Sequence, residues 1–214
     1  LNPLTLEEPK PLLKINEITL LENCINLIKF IGLKKVIINT FYLKEKIEDF
    51  IKLKKFDLDI QIIDDGEIIL NTGGGILNMI NSSNESDFLT FNPDTIWNKN
   101  YAEALNNMEK FYFSKKIKNV LLLANKNLSF DKKLKGDFNL LENVIKKNPQ
   151  NNLIYTGCQI INKSLFESFS VNNFSISRIW NDLIKKNELY GYESFEKFYH
   201  LTNLEVYEEL LKNK

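Results

Sequence analysis

Hydrophobic positions along the chain switch repeatedly between helical and strand spacing. Leu20, Leu21, Cys24, Ile25, Leu27, Ile28 and Ile31 recur three and four apart, as one face of a helix requires, and Gly32 ends the run. Thr19 and Glu22 stand at its start with the spacing of a capping box. Lys35–Thr40 then reads as a strand and Leu43–Leu53 as a second helix, with Glu45, Lys46, Glu48 and Asp49 on its wet side. Leu58–Ile63 alternates Leu, Ile and Ile against Asp and Gln, the period of a strand. The run Asn71-Thr72-Gly73-Gly74-Gly75 opens a short helix over Ile76–Ile80. Phe88–Phe91 is a short run of strand formers, and a further helix covers Tyr101–Phe113. Strand and helix alternating at these lengths predict an α/β fold with a doubly wound, mostly parallel sheet.

The second half reads differently. Asn119–Ala124 is a strong strand, and two short strand-like pieces follow Gly136-Asp137-Phe138, running through Val144 and Ile145. Leu153–Ile161 is another strand, and helices are expected around Ser164–Ser168 and over Ile176–Lys186. A strand pair is expected within Leu189–Leu201. Thr202 and Glu205 have capping-box spacing for a last helix. No repeat, low-complexity linker or composition break divides the chain, so residues 1–214 are expected to form one domain. Its later part would be a mixed, partly antiparallel layer closing over a ligand.

The 28 basic and 28 acidic residues cancel, which gives no support to a nucleic-acid or anionic-membrane partner reached by bulk charge. Arg178 is the sole arginine, so phosphate contacts must come mostly from Lys, backbone N–H groups and helix N-termini. The apolar runs are far shorter than a membrane span. Cys24 and Cys158 are far apart in apolar surroundings. They read as buried thiols in a reducing compartment, and a cytoplasmic location is expected.

Three sites carry candidate chemistry. Pro93 removes a backbone donor and ends the strand at Asn92, leaving Asp94 just past it. Ligands bind outside the carboxyl ends of strands in open α/β sheets, and a carboxylate there can hold a hard metal ion; Asp94 as a simple turn cap is the alternative. Pro3, Pro9 and Pro11 make Leu1–Leu13 an extended loop that displays Lys10, either for a phosphate or merely to solvent. Three consecutive glycines, Gly73 to Gly75, suit a close approach of backbone to a flat ligand or phosphate at a helix N-terminus. The wound sheet puts all three at one edge, as a nucleotide site.

Leu1-Asn2-Pro3-Leu4-Thr5 with Pro9-Lys10-Pro11-Leu12-Leu13 resembles the tail of the sugar-phosphate nucleotidyltransferase signature Gly-x-Gly-Thr-Arg-Leu-x-Pro-Leu-Thr-x-x-x-Pro-Lys-Pro-Leu. The resemblance continues through Thr72-Gly73-Gly74-Gly75, Asn92-Pro93-Asp94 with Trp97, Gly136-Asp137-Phe138 and Tyr155-Thr156-Gly157. Its nearest subgroup is the N-acetylmuramate 1-phosphate uridylyltransferases and their mannose 1-phosphate guanylyltransferase-like relatives. The resemblance implies a Rossmann-like nucleotide-diphospho-sugar transferase fold. It also implies Mg2+-dependent in-line attack of a sugar 1-phosphate on the α-phosphorus of a nucleoside triphosphate, with pyrophosphate leaving. By position, Lys10 would hold the triphosphate and Asp94 the Mg2+. Thr72, Gly73 and Gly74 would line the base pocket, with Asn92 near the nucleotide. Asp137 and Gly157 would contact the sugar phosphate, although Gly157 equally suits close packing of a strand. A binding domain without catalysis is the alternative from another class.

Two departures stand out. The family's Gly-rich phosphate loop, and the strand feeding it, have no counterpart before Leu1, so the chain reads as N-terminally truncated with its first strand absent. His200, in Phe198-Tyr199-His200-Leu201-Thr202-Asn203, stands where many relatives carry Trp-x-Asp-x-Gly-Thr, whose Asp is a second metal-binding acid. Mg2+ prefers oxygen to imidazole. His200 is therefore expected at the sugar phosphate or at a metal-bound water, unless it pairs locally.

Overall fold

Short helices and strands alternate along residues 1–212, which the computed structural model describes. In chain order they are α1 (Leu4–Glu7), β1 (Lys14–Ile15), β2 (Ile18–Thr19), α2 (Leu20–Phe30), β3 (Lys35–Thr40), α3 (Lys44–Lys54), β4 (Asp59–Asp64), α4 (Asn71–Asn81) and β5 (Asp87–Phe91). There follow α5 (Tyr101–Lys115), β6 (Asn119–Asn125), β7 (Asn139–Leu141), β8 (Val144–Lys146), β9 (Leu153–Asn162), α6 (Ser177–Lys186), β10 (Tyr190–Ser194) and α7 (Leu204–Lys212).

β3 and β4 pair in parallel, Val36 opposite Ile60 and Ile38 opposite Ile62. A larger sheet has the order β5-β9-β6-β10-β8-β7. β6 and β10 are parallel, while β9 is antiparallel to both β5 and β6. So β5, β6 and β10 run one way, and β9 is wedged reversed between the first two. The expected α/β class holds. The reversed strands β9 and β8 lie inside the main sheet rather than in a separate layer, so β6–β10 is the one parallel pairing among its five.

β6 shows why this sheet is the centre. Asn119 to Ala124 are all fully buried. Side chains alternate across a strand. Leu121 and Leu123 pack with Ile179 and Leu183 of α6 on one face, whereas Val120 and Leu122 meet Leu105 and Met108 of α5 on the other. Each such aliphatic side chain contributes about 1.5–3 kcal/mol when fully buried. α2 spans three groups: Leu20 packs with Leu13 and Leu201, Cys24, Leu27 and Ile28 join the α5 side, and Leu21 and Ile25 cover Ile38 and Ile60 of the β3–β4 pair.

Several local expectations are corrected. Leu1–Leu13 is not simply extended: it contains α1 and a 3-10 turn over Lys10–Leu12. Pro3 and Pro9 sit at the N-caps and Pro11 in the first positions of the turn, where a missing N–H costs nothing. The three glycines lie within the first turns of α4, not ahead of it. The expected pair of strands in Leu189–Leu201 is the single strand β10, followed by isolated bridges at Phe198 and His200. α7 is capped by Asn203, whose Oδ1 accepts from Val206 N–H at 3.0 Å, rather than by Thr202. Both cysteines are free and buried, and burial pushes the Cys24 thiol up to about 12. Among the described residues no helix is long and apolar enough to cross a membrane.

Candidate active site

The carboxyl end of β5 is pinned from three sides. Asn92 N–H donates to Gly157 O at 2.7 Å, carrying the β5–β9 pairing one step further. The Trp97 indole N–H donates to Asn92 O at 2.9 Å, which folds the chain back after Pro93. Trp97 is itself fully buried, edge-on to Phe91 and Tyr101 at 5.0 Å each. The next residues then zip onto the chain after β10. Ile96 N–H donates to Tyr199 O at 2.9 Å and Leu201 N–H to Asp94 O at 2.8 Å, with Thr95 opposite His200 between them.

This zipper brings Asp94 and His200 together although 106 positions separate them in sequence. Lys10 reaches the same point from the 3-10 turn, its Nζ 2.7 Å from Asp94 Oδ2. The two side chains are 31% and 23% exposed, so water screens the pair only in part. Asp94 Oδ1 is buried without a hydrogen-bond partner and lies 3.7 Å from His200 Nδ1. Thr95 Oγ1 has one proton and gives it to Thr156 O at 2.7 Å. At 3.1 Å from His200 Nδ1 it must then accept, so Nδ1 carries the imidazole proton and Nε2 keeps its lone pair. Burial holds His200 below its ordinary pKa; the Asp94 charge opposes this and the Lys10 charge adds to it. The imidazole also stacks on Phe198 at 5.8 Å.

The other expected residues are distributed around this cluster. Thr72 and Asn92 border one cleft of about 890 Å3, together with Pro9, Asn39 and Asp65. Gly73 and Gly74 face away from it: both N–H groups donate to Phe174 O, at 2.9 and 3.2 Å. A Cβ on Gly73 would meet the Phe174 ring at 2.4 Å, and one on Gly74 would meet Asn172 O at 2.0 Å. These glycines let α4 seat against the Asn172–Phe174 segment. Gly75 is the glycine beside the cleft, against Asn39. Gly157 has a φ of +91°, and a Cβ there would lie 2.8 Å from Asn92 Cβ. Asp137 accepts from Tyr155 N–H at 2.9 Å, two residues before Gly157 on β9, and is not in contact with Asp94.

Sequence reasoning missed one polar group. Asn39 donates to Asp65 Oδ2 at 2.6 Å and Asn78 to Asp65 Oδ1 at 3.0 Å, at the cleft wall. The available signal was position: Asn39 ends β3 and Asp65 follows β4, at the carboxyl ends where α/β sheets bind ligands. Among the described residues no three His, Cys, Asp or Glu side chains converge as a metal cage. The unpaired Asp94 Oδ1 fits Mg2+ nonetheless, because Mg2+ is held by one or two carboxylates and completes its shell with water and substrate phosphates.

Residues 1–126 match the family model for nucleotidyl transferases. The chain therefore belongs to that family and is an enzyme of the transferase class, which sets aside the binding-only alternative. Solved structures agree in fold. HddC from Yersinia pseudotuberculosis, complexed with GMP-PN, is 20% identical with a TM-score of 0.72, over 96% of this chain and 89% of that one. A UDP-glucose pyrophosphorylase complexed with UDP-glucose is 17% identical with a TM-score of 0.78, over 99% and 92%. The inositol-1-phosphate CTP transferase from T. maritima is 15% identical with a TM-score of 0.74, over 96% and 87%.

Proposed function

We propose that the protein transfers a nucleotidyl group from a nucleoside triphosphate, UTP being favoured, to a sugar 1-phosphate, with Mg2+ and with release of pyrophosphate. One observation carries this reading: the Lys10–Asp94 pair just past the carboxyl end of β5, with Asp94 Oδ1 left without a hydrogen-bond partner one residue beyond Pro93, which borders the cleft. In it, Asp94 would hold Mg2+, which when bound supplies positive charge to phosphate oxygens. Lys10 places a compact ammonium with three donors at the triphosphate. A sugar 1-phosphate is already an anionic nucleophile, so the chain has only to position and neutralise. Thr72 and Asn92 take the nucleotide side of the cleft. Gly73 and Gly74 act behind it by seating α4.

Asp137, Gly157 and His200 take the sugar-phosphate side. A neutral His200 suits an acceptor role at Nε2, toward a sugar hydroxyl or a bound water. UTP is favoured by the resemblance to N-acetylmuramate 1-phosphate uridylyltransferases, and a neighbour in fold holds UDP-glucose. GTP with mannose 1-phosphate is the second reading, favoured by the neighbour that holds GMP-PN. In either case the enzyme works as one domain in the cytoplasm.

The test is pyrophosphate release across a grid of nucleoside triphosphates and sugar 1-phosphates. UTP with N-acetylmuramate 1-phosphate or a hexose 1-phosphate is expected to give the highest turnover. Fastest release from GTP with mannose 1-phosphate establishes the second reading. Turnover confined to acceptors that are not sugar phosphates overturns both.

A further inference from the structure

Three of the N–H groups that open α4 are already taken. Thr72 N–H donates to Asn71 Oδ1 at 2.7 Å, and those of Gly73 and Gly74 donate to Phe174 O. They are not free for a ligand, so reading a base in the cleft falls to side chains. One side chain there is held in a fixed direction. Asp65 accepts from Asn39 Nδ2 at 2.6 Å through Oδ2, and from Asn78 Nδ2 at 3.0 Å through Oδ1. A carboxylate only accepts, so both asparagines must turn their NH2 groups toward it. The Asn39 carbonyl oxygen, Oδ1, is thereby turned away from Asp65, and no described residue donates to it.

Asp65 is itself anchored. Its N–H donates to Thr40 O at 2.8 Å, one step beyond the last β3–β4 pair. Asn78 also donates to Asp64 O at 3.2 Å. The Asn39 amide thus rests on β3, the end of β4 and α4 together. Gly75 leaves room for it, since a Cβ there would lie 2.9 Å from Asn39 Nδ2 and 3.6 Å from Asp65 Oδ2. Asn39 is exposed and borders the same cleft as Thr72 and Asn92.

We propose, resting on the nucleotidyl transfer set out above, that Asn39 determines which nucleobase is accepted, its Oδ1 taking a ring N–H, and that Asp65 is the positioning residue that keeps the amide turned that way. The substrate class follows. Uracil and thymine carry such an N–H at N3, and guanine carries one at N1. The Nδ2 hydrogen that Asp65 leaves over can add a bond to the carbonyl beside that N–H. Cytosine N3 and adenine N1 are acceptors, and each would set a lone pair against Oδ1. A polar group left facing the wrong partner costs more than a matched hydrogen bond gains, which is how such a site rejects a base. Without Asp65 the amide is free to turn over, and it offers NH2 and C=O alike.

The experiment measures kcat/KM by pyrophosphate release for UTP, GTP, CTP and ATP with one accepted sugar 1-phosphate, in the parent, Asn39→Ala and Asp65→Asn proteins. Calorimetry measures the binding of the same four triphosphates. The parent is expected to prefer UTP or GTP to CTP and ATP. Each variant is expected to lower that preference roughly tenfold, chiefly by losing the preferred triphosphate. A role confined to holding β3 and α4 together would slow all four alike; unchanged ratios overturn the proposal. So does a parent that prefers CTP or ATP, a result that leaves nucleotidyl transfer itself standing. Turnover with none of the four defeats the proposed function instead, and the calorimetric ratios then decide. A preference for UTP or GTP in binding that Asn39→Ala abolishes supports the base contact, and equal affinities or no binding overturn it. Asn39→Ala decides alone should Asp65→Asn fail to fold, because Asn39 is exposed and its backbone pairing to β4 is untouched.

Discussion

Gly157→Ala separates two roles that the sequence leaves open for this glycine. The φ of +91° lies in the left-handed region, where an L side chain costs about 1–2 kcal/mol. The added Cβ would sit 2.8 Å from Asn92 Cβ, closer than real carbon contacts allow. The strands cannot simply part, because Asn92 N–H is bonded to Gly157 O at 2.7 Å. Such overpacking costs about 1–3 kcal/mol. A combined loss near 3 kcal/mol lowers the melting temperature of a chain this size by roughly 6–12 °C. Circular dichroism melts and urea midpoints measure it. The double variant Gly157→Ala/Asn92→Gly is expected to recover the contact part and not the φ part. A Gly157→Ala protein that melts like the parent, yet binds sugar phosphate more weakly, would refute the packing account.

His200 is the sole histidine, and burial depresses its pKa, so the unfolded chain takes up a proton before the folded one does. Stability is expected to fall as pH drops below about 6.5 and to stop falling on this account once the folded-state pKa is passed. A His200→Gln protein should show a flatter profile in that window, and identical slopes would contradict this. Gly74→Val drives a Cβ onto Asn172 O and should lower stability; loss of nucleotide affinity with an unchanged melt would place that glycine in the base pocket instead. Thr95→Val leaves Thr156 O and His200 Nδ1 without their buried partner, an expected loss of about 1–3 kcal/mol by urea titration; an unaltered midpoint would show that the link carries no weight.

Periodicity located most helices and strands, because burial of one face imposes it directly. The partners of each strand were less legible. β9 reads as an apolar run whether it lies parallel or reversed, since it is buried on both faces in either case. Asp94 and Lys10 could be named because strand ends and proline breaks are local signals. The Asp94–His200 contact rests on the zipper between Asp94–Ile96 and Tyr199–Leu201, whose backbone hydrogen bonds leave no mark in composition. The glycines of α4 show the same limit. Their need for space is visible in the sequence, but what fills it, Phe174 and Asn172, comes from a distant segment.

Asp94→Asn tests the central claim most directly, read as pyrophosphate release with the best triphosphate and sugar 1-phosphate pair. The substitution keeps the shape of the side chain and removes the charge that faces Lys10 and the proposed Mg2+. Turnover is expected to fall roughly a hundred- to a thousandfold, the usual cost of one electrostatic contact to a reacting phosphate or carbonyl, about 2.7–4 kcal/mol. The melt should move little, because a partly exposed ion pair contributes at most about 1 kcal/mol. Turnover equal to that of the parent protein would contradict the assignment of Asp94 and, with it, the proposed site.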